Sequence, residues 1–147
     1  MHTKSFFLAA AVCATLLGCA PMSTKPPTIA GPCGGSQCPV DLSISDCKIS
    51  DPGKLDVTKG NRGTVIQWQI DFGSWLAGYK FADQGIVINT ADPNREFHDP
   101  NRPFGGKTFT IIDNNTLAKE YKYTISVVQG WTGRTCSPLD PIIANQG

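Results

Sequence analysis

Asp92-Pro93-Asn94-Arg95-Glu96-Phe97-His98 runs directly into Asp99-Pro100-Asn101-Arg102-Pro103-Phe104-Gly105, so Asp-Pro-Asn-Arg-x-Phe repeats with period seven. Asp at the first place of a turn and Pro at the second favour a type I turn, and two successive turns are the first reading. The same residues carry sharper chemistry. Arg95 and Arg102 form a paired clamp for an anion or carboxylate, with Phe97 and Phe104 as apolar anchors. Asp92, Asn94, Asp99 and Asn101 offer oxygens to Ca²⁺, but no Ca²⁺ loop motif surrounds them, and no metal site is expected. A second set is aromatic: Trp75, Tyr79 and Phe81 lie in Gly73–Phe81, and Trp131 lies in Gly130–Gly133. Such rings between glycines pack over the end of a small domain or form a platform for carbohydrate or protein. Packing is the first reading, because small domains need their aromatic area.

Enzymatic constellations are poorly supplied. Serine and cysteine enzymes of the triad type need a held histidine base. His98 is the one histidine outside the first twenty residues, and it sits in a turn-rich loop. A glycosidase needs two placed carboxylates. Glu96 and Glu120 are the only glutamates, and most aspartates fall at turns or strand edges. A small hydrolase would show two convergent carboxylates in a cleft, one with a raised pKa. No Gly-rich phosphate loop leads into a helix. The chain therefore reads as a non-enzyme without a cofactor.

Thirteen basic and twelve acidic residues give a net charge of +1, and loss of Lys4 with a leader balances them. That balance argues against a nucleic-acid binder and against a polybasic membrane-surface protein. With 17% charged and 40% hydrophobic residues the chain is not disordered by composition. Its 147 residues suit one domain.

The leader is Met1–Ala20. Lys4 marks a short n-region, and Phe6–Leu17 is an apolar run of h-region type, too short to span a bilayer. It ends in Leu16-Leu17-Gly18-Cys19, which resembles the lipobox of bacterial lipoproteins. The resemblance implies cleavage after Gly18, a diacylglycerol on the Cys19 thiol and an acylated (palmitate-type) amine. Ala20 rather than Asp follows, which in that family leans towards the outer membrane. Three acyl chains make an anchor far stronger than one. Residues 1–18 are then the signal peptide, and the protein is a lipid-anchored envelope lipoprotein facing the periplasm or the cell surface.

Residues 19–37 are crowded with Pro and Gly and read as an extended tether, reaching at most ~60 Å. Four cysteines remain beyond Cys13 and Cys19: Cys33, Cys38, Cys47 and Cys136. An even count in an exported chain implies two disulfides, with three possible pairings. If Val40–Ile44 is a strand, Cys38 and Cys47 lie too far apart to bridge. The preferred pairing is Cys33–Cys38 as a small loop and Cys47–Cys136 as a long-range staple. The spacings do not match a zinc ribbon, and no Cys-x-x-Cys redox pair is present.

Residues 38–147 form the domain. Ile66, Trp68, Ile70 and Phe72 alternate with polar residues, as do Tyr121, Tyr123, Ile125 and Val127, and Val40, Leu42 and Ile44. Period two predicts half-buried strands. Shorter candidates are Leu55–Thr58, Gly85–Asn89 and Thr108–Ile112. Turn signals stand at Asp51-Pro52-Gly53, Lys59-Gly60-Asn61, Asp83-Gln84-Gly85 and Asp113-Asn114-Asn115. No three-turn helical stripe is present, and Thr116–Glu120 can make a single turn. Six to seven strands predict an all-β, antiparallel, disulfide-stapled β-sandwich of immunoglobulin-like or cupredoxin-like size. The stretch before Tyr123 resembles the corner that precedes a late strand in such sandwiches, but cupredoxin copper ligands are lacking.

The sequence thus points to a non-catalytic binding or structural module of the envelope whose ligand it does not identify, an envelope protein or a glycan being the candidates. An inhibitor or immunity-type module and a carboxylate-dependent hydrolase or carbohydrate-binding domain are the alternatives.

Overall fold

The computed structural model describes residues 32–147; the expected signal peptide, Cys19 and most of the expected tether lie outside the described residues. Among the described residues the chain forms eleven strands and one short helix. In order they are β1 Gln37–Leu42, β2 Ile44–Ser45, β3 Lys48–Ile49, β4 Leu55–Val57 and β5 Thr64–Ile70. Then come α1 Phe72–Leu76, β6 Tyr79–Ile88, β7 Phe97–Asn101, β8 Thr108–Asp113, β9 Ala118–Gln129, β10 Arg134–Thr135 and β11 Ile142–Gln146.

Two sheets face each other. The first has the order β1-β5-β8-β7. In the second, β9 pairs with β6 along one edge, with β10 and β11 along the other, and β4 lies beyond β11. β2 and β3 form a separate hairpin. The alternation in the sequence is the cause of the layering, because successive strand side chains point to opposite faces. Ile66, Trp68 and Ile70 of β5, Phe109 and Ile111 of β8, and Tyr123, Ile125 and Val127 of β9 are all buried between the sheets. Trp68 and Tyr123 lie across the centre with ring centroids 5.4 Å apart, and the indole donates to the Tyr123 hydroxyl at 3.3 Å.

The sandwich is not purely antiparallel. β1 pairs parallel with β5, and β11 parallel with β4. Parallel neighbours need a long crossover, and both pairs have one, since each joins segments distant in sequence. Alternation shows which face a strand buries but not which neighbour it takes.

Cys33 is bonded to Cys38 and Cys47 to Cys136, with Cα separations of 5.0 and 4.8 Å. Cys33 pairs with Val57 beyond β4, its N–H donating to Asp56 O at 2.8 Å, while Cys38 belongs to β1. The chain therefore crosses from one sheet to the other between these cysteines. Cys33, counted with the tether by its composition, is part of the core. The second bridge closes a separation of 89 residues, a length at which the chain-entropy model gives about 3–5 kcal/mol.

Three local expectations are corrected. Thr116–Glu120 is not a helical turn, since β9 already begins at Ala118. The helical turn is Phe72–Leu76, so Phe72 leaves the alternation of β5 and is exposed. Asp83-Gln84-Gly85 is not a turn between strands but an irregularity within β6, where the register against β9 shifts between Phe81 and Ile86. Gly85 is required there: a Cβ would lie 2.8 Å from the Phe81 Cβ, and bulges accept Gly where another residue presses close.

Candidate functional site

The exposed apolar residues gather at the end of the sandwich where β5 finishes and β9 turns into β10. Asp71 stops β5 and caps α1, its Oδ1 accepting from Ser74 N at 2.9 Å. Ser74 Oγ is buried and accepts from Ile44 N at 2.7 Å, which fixes the short helix to the β2–β3 hairpin. Burial works to raise the Asp71 pKa, but the Ser74 hydrogen bonds overcome it and hold the carboxyl below its usual range. A side chain at i and another at i+4 share one helix face, so Phe72 and Leu76 project together, and both are exposed. Trp75 stands 6.1 Å from Phe72, and the Lys107 amine lies 5.7 and 5.6 Å from the two rings, within cation–π range.

Trp131 comes from the β9–β10 loop. Gln129 Oε1 accepts from the N–H groups of Trp131 and Thr132 at 3.0 and 2.8 Å, while its Nε2 donates to Ala77 O at 3.1 Å. One glutamine thus ties the loop to the residue that ends α1. Gly78 has φ 91°, and a Cβ there would lie 2.2 Å from Trp131 Nε1. Only glycine lets the indole approach this close. Trp75, 40% exposed, and Trp131, 79% exposed, flank a shallow cavity of about 280 Å³ that Lys80, Tyr79, Gly105 and Gly130 complete. Phe104, next to Gly105, is fully exposed. Tyr79 is half-buried, and its hydroxyl accepts from Cys47 N at 3.2 Å. Phe81 is buried and packs on Phe109 with centroids 5.9 Å apart. The aromatic segment therefore divides, Phe81 into the core and Trp75 and Trp131 onto the surface.

The seven-residue repeat does not form a paired clamp. Its first copy is a turn, with Arg95 N donating to Asp92 O at 3.2 Å. Its second copy does not turn at Asp99-Pro100 but runs through Asp99, Pro100 and Asn101 in the edge strand β7 with a register shift, and turns only at Pro103–Gly106. Proline is tolerated on an edge because no partner needs its missing N–H. Arg95 is exposed at φ 53°. Arg102 is engaged within the fold: its Nε donates to Phe81 O at 3.0 Å, and its Nη2 lies 3.5 Å from Asp83. Phe97 is not an exposed anchor; it packs edge-on against Tyr121 at 4.9 Å. His98 lies on β7, its Nδ1 3.0 Å from Asp99 Oδ2 and its Nε2 3.2 Å from Asn114 Oδ1. Those two hydrogen bonds, Asp99 first, raise its pKa.

At the opposite end lies a polar cluster that sequence reading assigned to a turn. Asp113 continues the inward face of Phe109 and Ile111 and is 0% exposed; Glu96 is 1% exposed. Both Glu96 oxygens accept from Thr116, one from its N–H at 2.7 Å and one from its hydroxyl. Asn115 donates to Thr58 O and Asn61 O and accepts from Gln146 N and Gly147 N. Burial, then the nearby Glu96 and Asp92 charges, push the Asp113 pKa up to about 6, against hydrogen bonds from Asn115 and Asn145. The signal was available: Phe109, Ile111 and Asp113 keep one alternation. The Asp-Asn-Asn composition read more loudly as a turn.

A third feature is a groove of about 440 Å³ between the edge strands β6 and β7, floored by Ile86, Phe109 and Ile111, with Asp83 and Arg102 also lining it. Among the described residues no group of three His, Cys, Asp or Glu side chains is arranged to hold a metal. No helix among them is long and apolar enough to cross a membrane. No protein-family model matches the chain, and no curated protein matches it either.

Proposed function

We propose that this protein is a lipid-anchored lipoprotein of the bacterial cell envelope, held at the outer membrane through Cys19, and that it acts as a non-catalytic binding module through its aromatic end. The observation that carries the reading is the gathering of Phe72, Trp75, Leu76, Phe104 and Trp131 at one end, all exposed. Large contiguous apolar patches on a small domain mark contact surfaces, and exposed Trp and Phe are the residue types that anchor them. Their placement supports an outward partner. The chain enters beside Val57, level with Lys119 near the start of β9, whereas the aromatic end lies beyond Gln129. At ~3.3 Å per strand residue that is about 30 Å away from the tether.

A glycan is favoured as ligand by one feature, the two tryptophans that wall a cavity edged by the Lys80 amine and glycine backbone. Phe104, at the tip between Pro103 and Gly105, is what an inhibitor-type module would insert instead. The hydrolase reading gains its pair of carboxylates in Glu96 and Asp113 but not its cleft, because both side chains are enclosed.

The test uses Pro21–Gly147, with and without Trp75→Ala, Phe104→Ala and Trp131→Ala together, incubated with purified cell-wall sacculi and with solubilised envelope protein. Retention by either that drops at least tenfold in the triple variant, with unchanged far-UV circular dichroism, is the expected result. Equal retention of both forms, or of neither, removes the aromatic end as the contact surface.

A further inference from the structure

We propose that Asp113 is a proton-operated clasp: in its acid form it closes a two-bond ring with the Asn145 amide and thereby ties β8 of one sheet to β11 of the other. Asn145 Nδ2 donates to Asp113 Oδ1 at 2.9 Å. The remaining oxygens of the same two groups, Asp113 Oδ2 and Asn145 Oδ1, are both buried without a hydrogen-bond partner, and they are the only such side-chain atoms among the described residues. A carboxylate oxygen and an amide oxygen are both acceptors, so neither can satisfy the other. Leaving two buried acceptors unmet carries their desolvation cost with no hydrogen bond to offset it. One proton from solvent, bound at Oδ2, changes the arithmetic. The O–H donates to Asn145 Oδ1 while Asn145 Nδ2 continues to donate to Oδ1 of the acid, and both orphans are satisfied at once. No other bond forms or breaks.

The surroundings favour that proton. Thr64 of β5 is the uncharged register partner of Asp113. From the segment before β7, the charged groups acting on it are Glu96 and Asp92, both acidic; on β9 the neutral phenol Tyr121 has its own pKa raised by burial first and then by the charges of Glu96, Asp92 and Asp113. The Asn115 N–H donates to Oδ1 at 2.9 Å, the oxygen that stays unprotonated. The raised pKa of about 6 agrees with this geometry.

The sign follows from linkage. A carboxyl that binds its proton more tightly when folded gives stability that is full below the unfolded pKa of about 4 and is lost as pH rises through the folded value. Mild acid therefore tightens this clasp. The test follows the Asp113 side-chain carboxyl carbon by NMR between pH 3 and 8 and measures urea unfolding of wild type and Asp113→Asn at pH 4 and 7. An Asn side chain at 113 reproduces the ring without a titrating proton. The expected results are an Asp113 midpoint near 6 and a folding equilibrium constant that falls roughly fiftyfold more in wild type than in the variant between those pH values. An Asp113 midpoint at or below about 4, or the same pH dependence in both proteins, overturns the proposal. Should the variant not fold, the wild-type titration decides alone.

Discussion

The two copies of Asp-Pro-Asn-Arg-x-Phe are six residues alike in five places, and the fold uses them in opposite ways. In the first, Asp92 turns back on its own loop, its two oxygens accepting from Glu96 N at 2.9 Å and Phe97 N at 3.0 Å. Glu96 then points inward to Thr116, and Phe97 closes on Tyr121. In the second, Asp99 sits at φ 51° on an edge strand and reaches His98, not a following N–H. Arg102 lies against Gly106, where a Cβ would be 3.2 Å from the guanidinium, and holds Phe81 O, while Phe104 stands in solvent. The difference begins at the one variable position. A glutamate can be buried if its oxygens are met by donors, and Thr116 supplies them. Proline at position 103 has no such arm, so nothing draws the second phenylalanine inward.

That contrast is open to direct attack. The largest expected effect is Phe97→Ala, which should cost about 2–4 kcal/mol in urea unfolding, on the scale of Phe truncation in a core. Phe104→Ala should stay within about 0.5 kcal/mol, as for exposed positions. Equal losses would mean that the copies are structurally equivalent after all. Next comes the aspartate pair. Asp92→Ala removes two capping hydrogen bonds and should cost about 1–2 kcal/mol, whereas Asp99→Ala should be close to neutral in the same experiment.

The smallest effect belongs to His98, between the copies. Its pKa is raised first by Asp99, then by Asn114. The stability that the protonated ring contributes is full below its unfolded pKa and is lost as pH rises through the folded one. Asp99→Asn should move the imidazole midpoint downward in an NMR titration; an unmoved midpoint would show that the contact is not made in solution.

Much of the fold was legible because its signals are local. Ile66, Trp68 and Ile70, and Tyr121, Tyr123, Ile125 and Val127, announce buried faces by period two, and each is buried, while Phe72, read in the same alternation, is exposed. Strand geometry between Cys38 and Cys47 removed one of the three pairings, and of the two left the preferred one is the one observed. Where composition competed with periodicity, composition misled. Asp83-Gln84-Gly85 has turn residues yet continues β6, because Gly85 is demanded by Phe81 and Phe109. Asp113 has a turn residue's identity yet keeps the inward face of β8. Of the candidate site, Trp75 and Trp131 were legible as glycine-flanked aromatics. Their meeting over one cavity was not, because they are brought together by Gln129 and Gly78 across the end of the second sheet.

By itself the sequence determined an all-β chain, the faces of its main strands and the residues available for contact, since alternation and residue type act within a few positions. The tertiary structure alone decided the parallel partners of β1 and β11, the inward fate of one phenylalanine and the outward fate of its twin, and the enclosure of Asp113 with Asn145. Each depends on a neighbour distant in the chain, whose identity no local pattern encodes and whose donors or volume settle what can be buried.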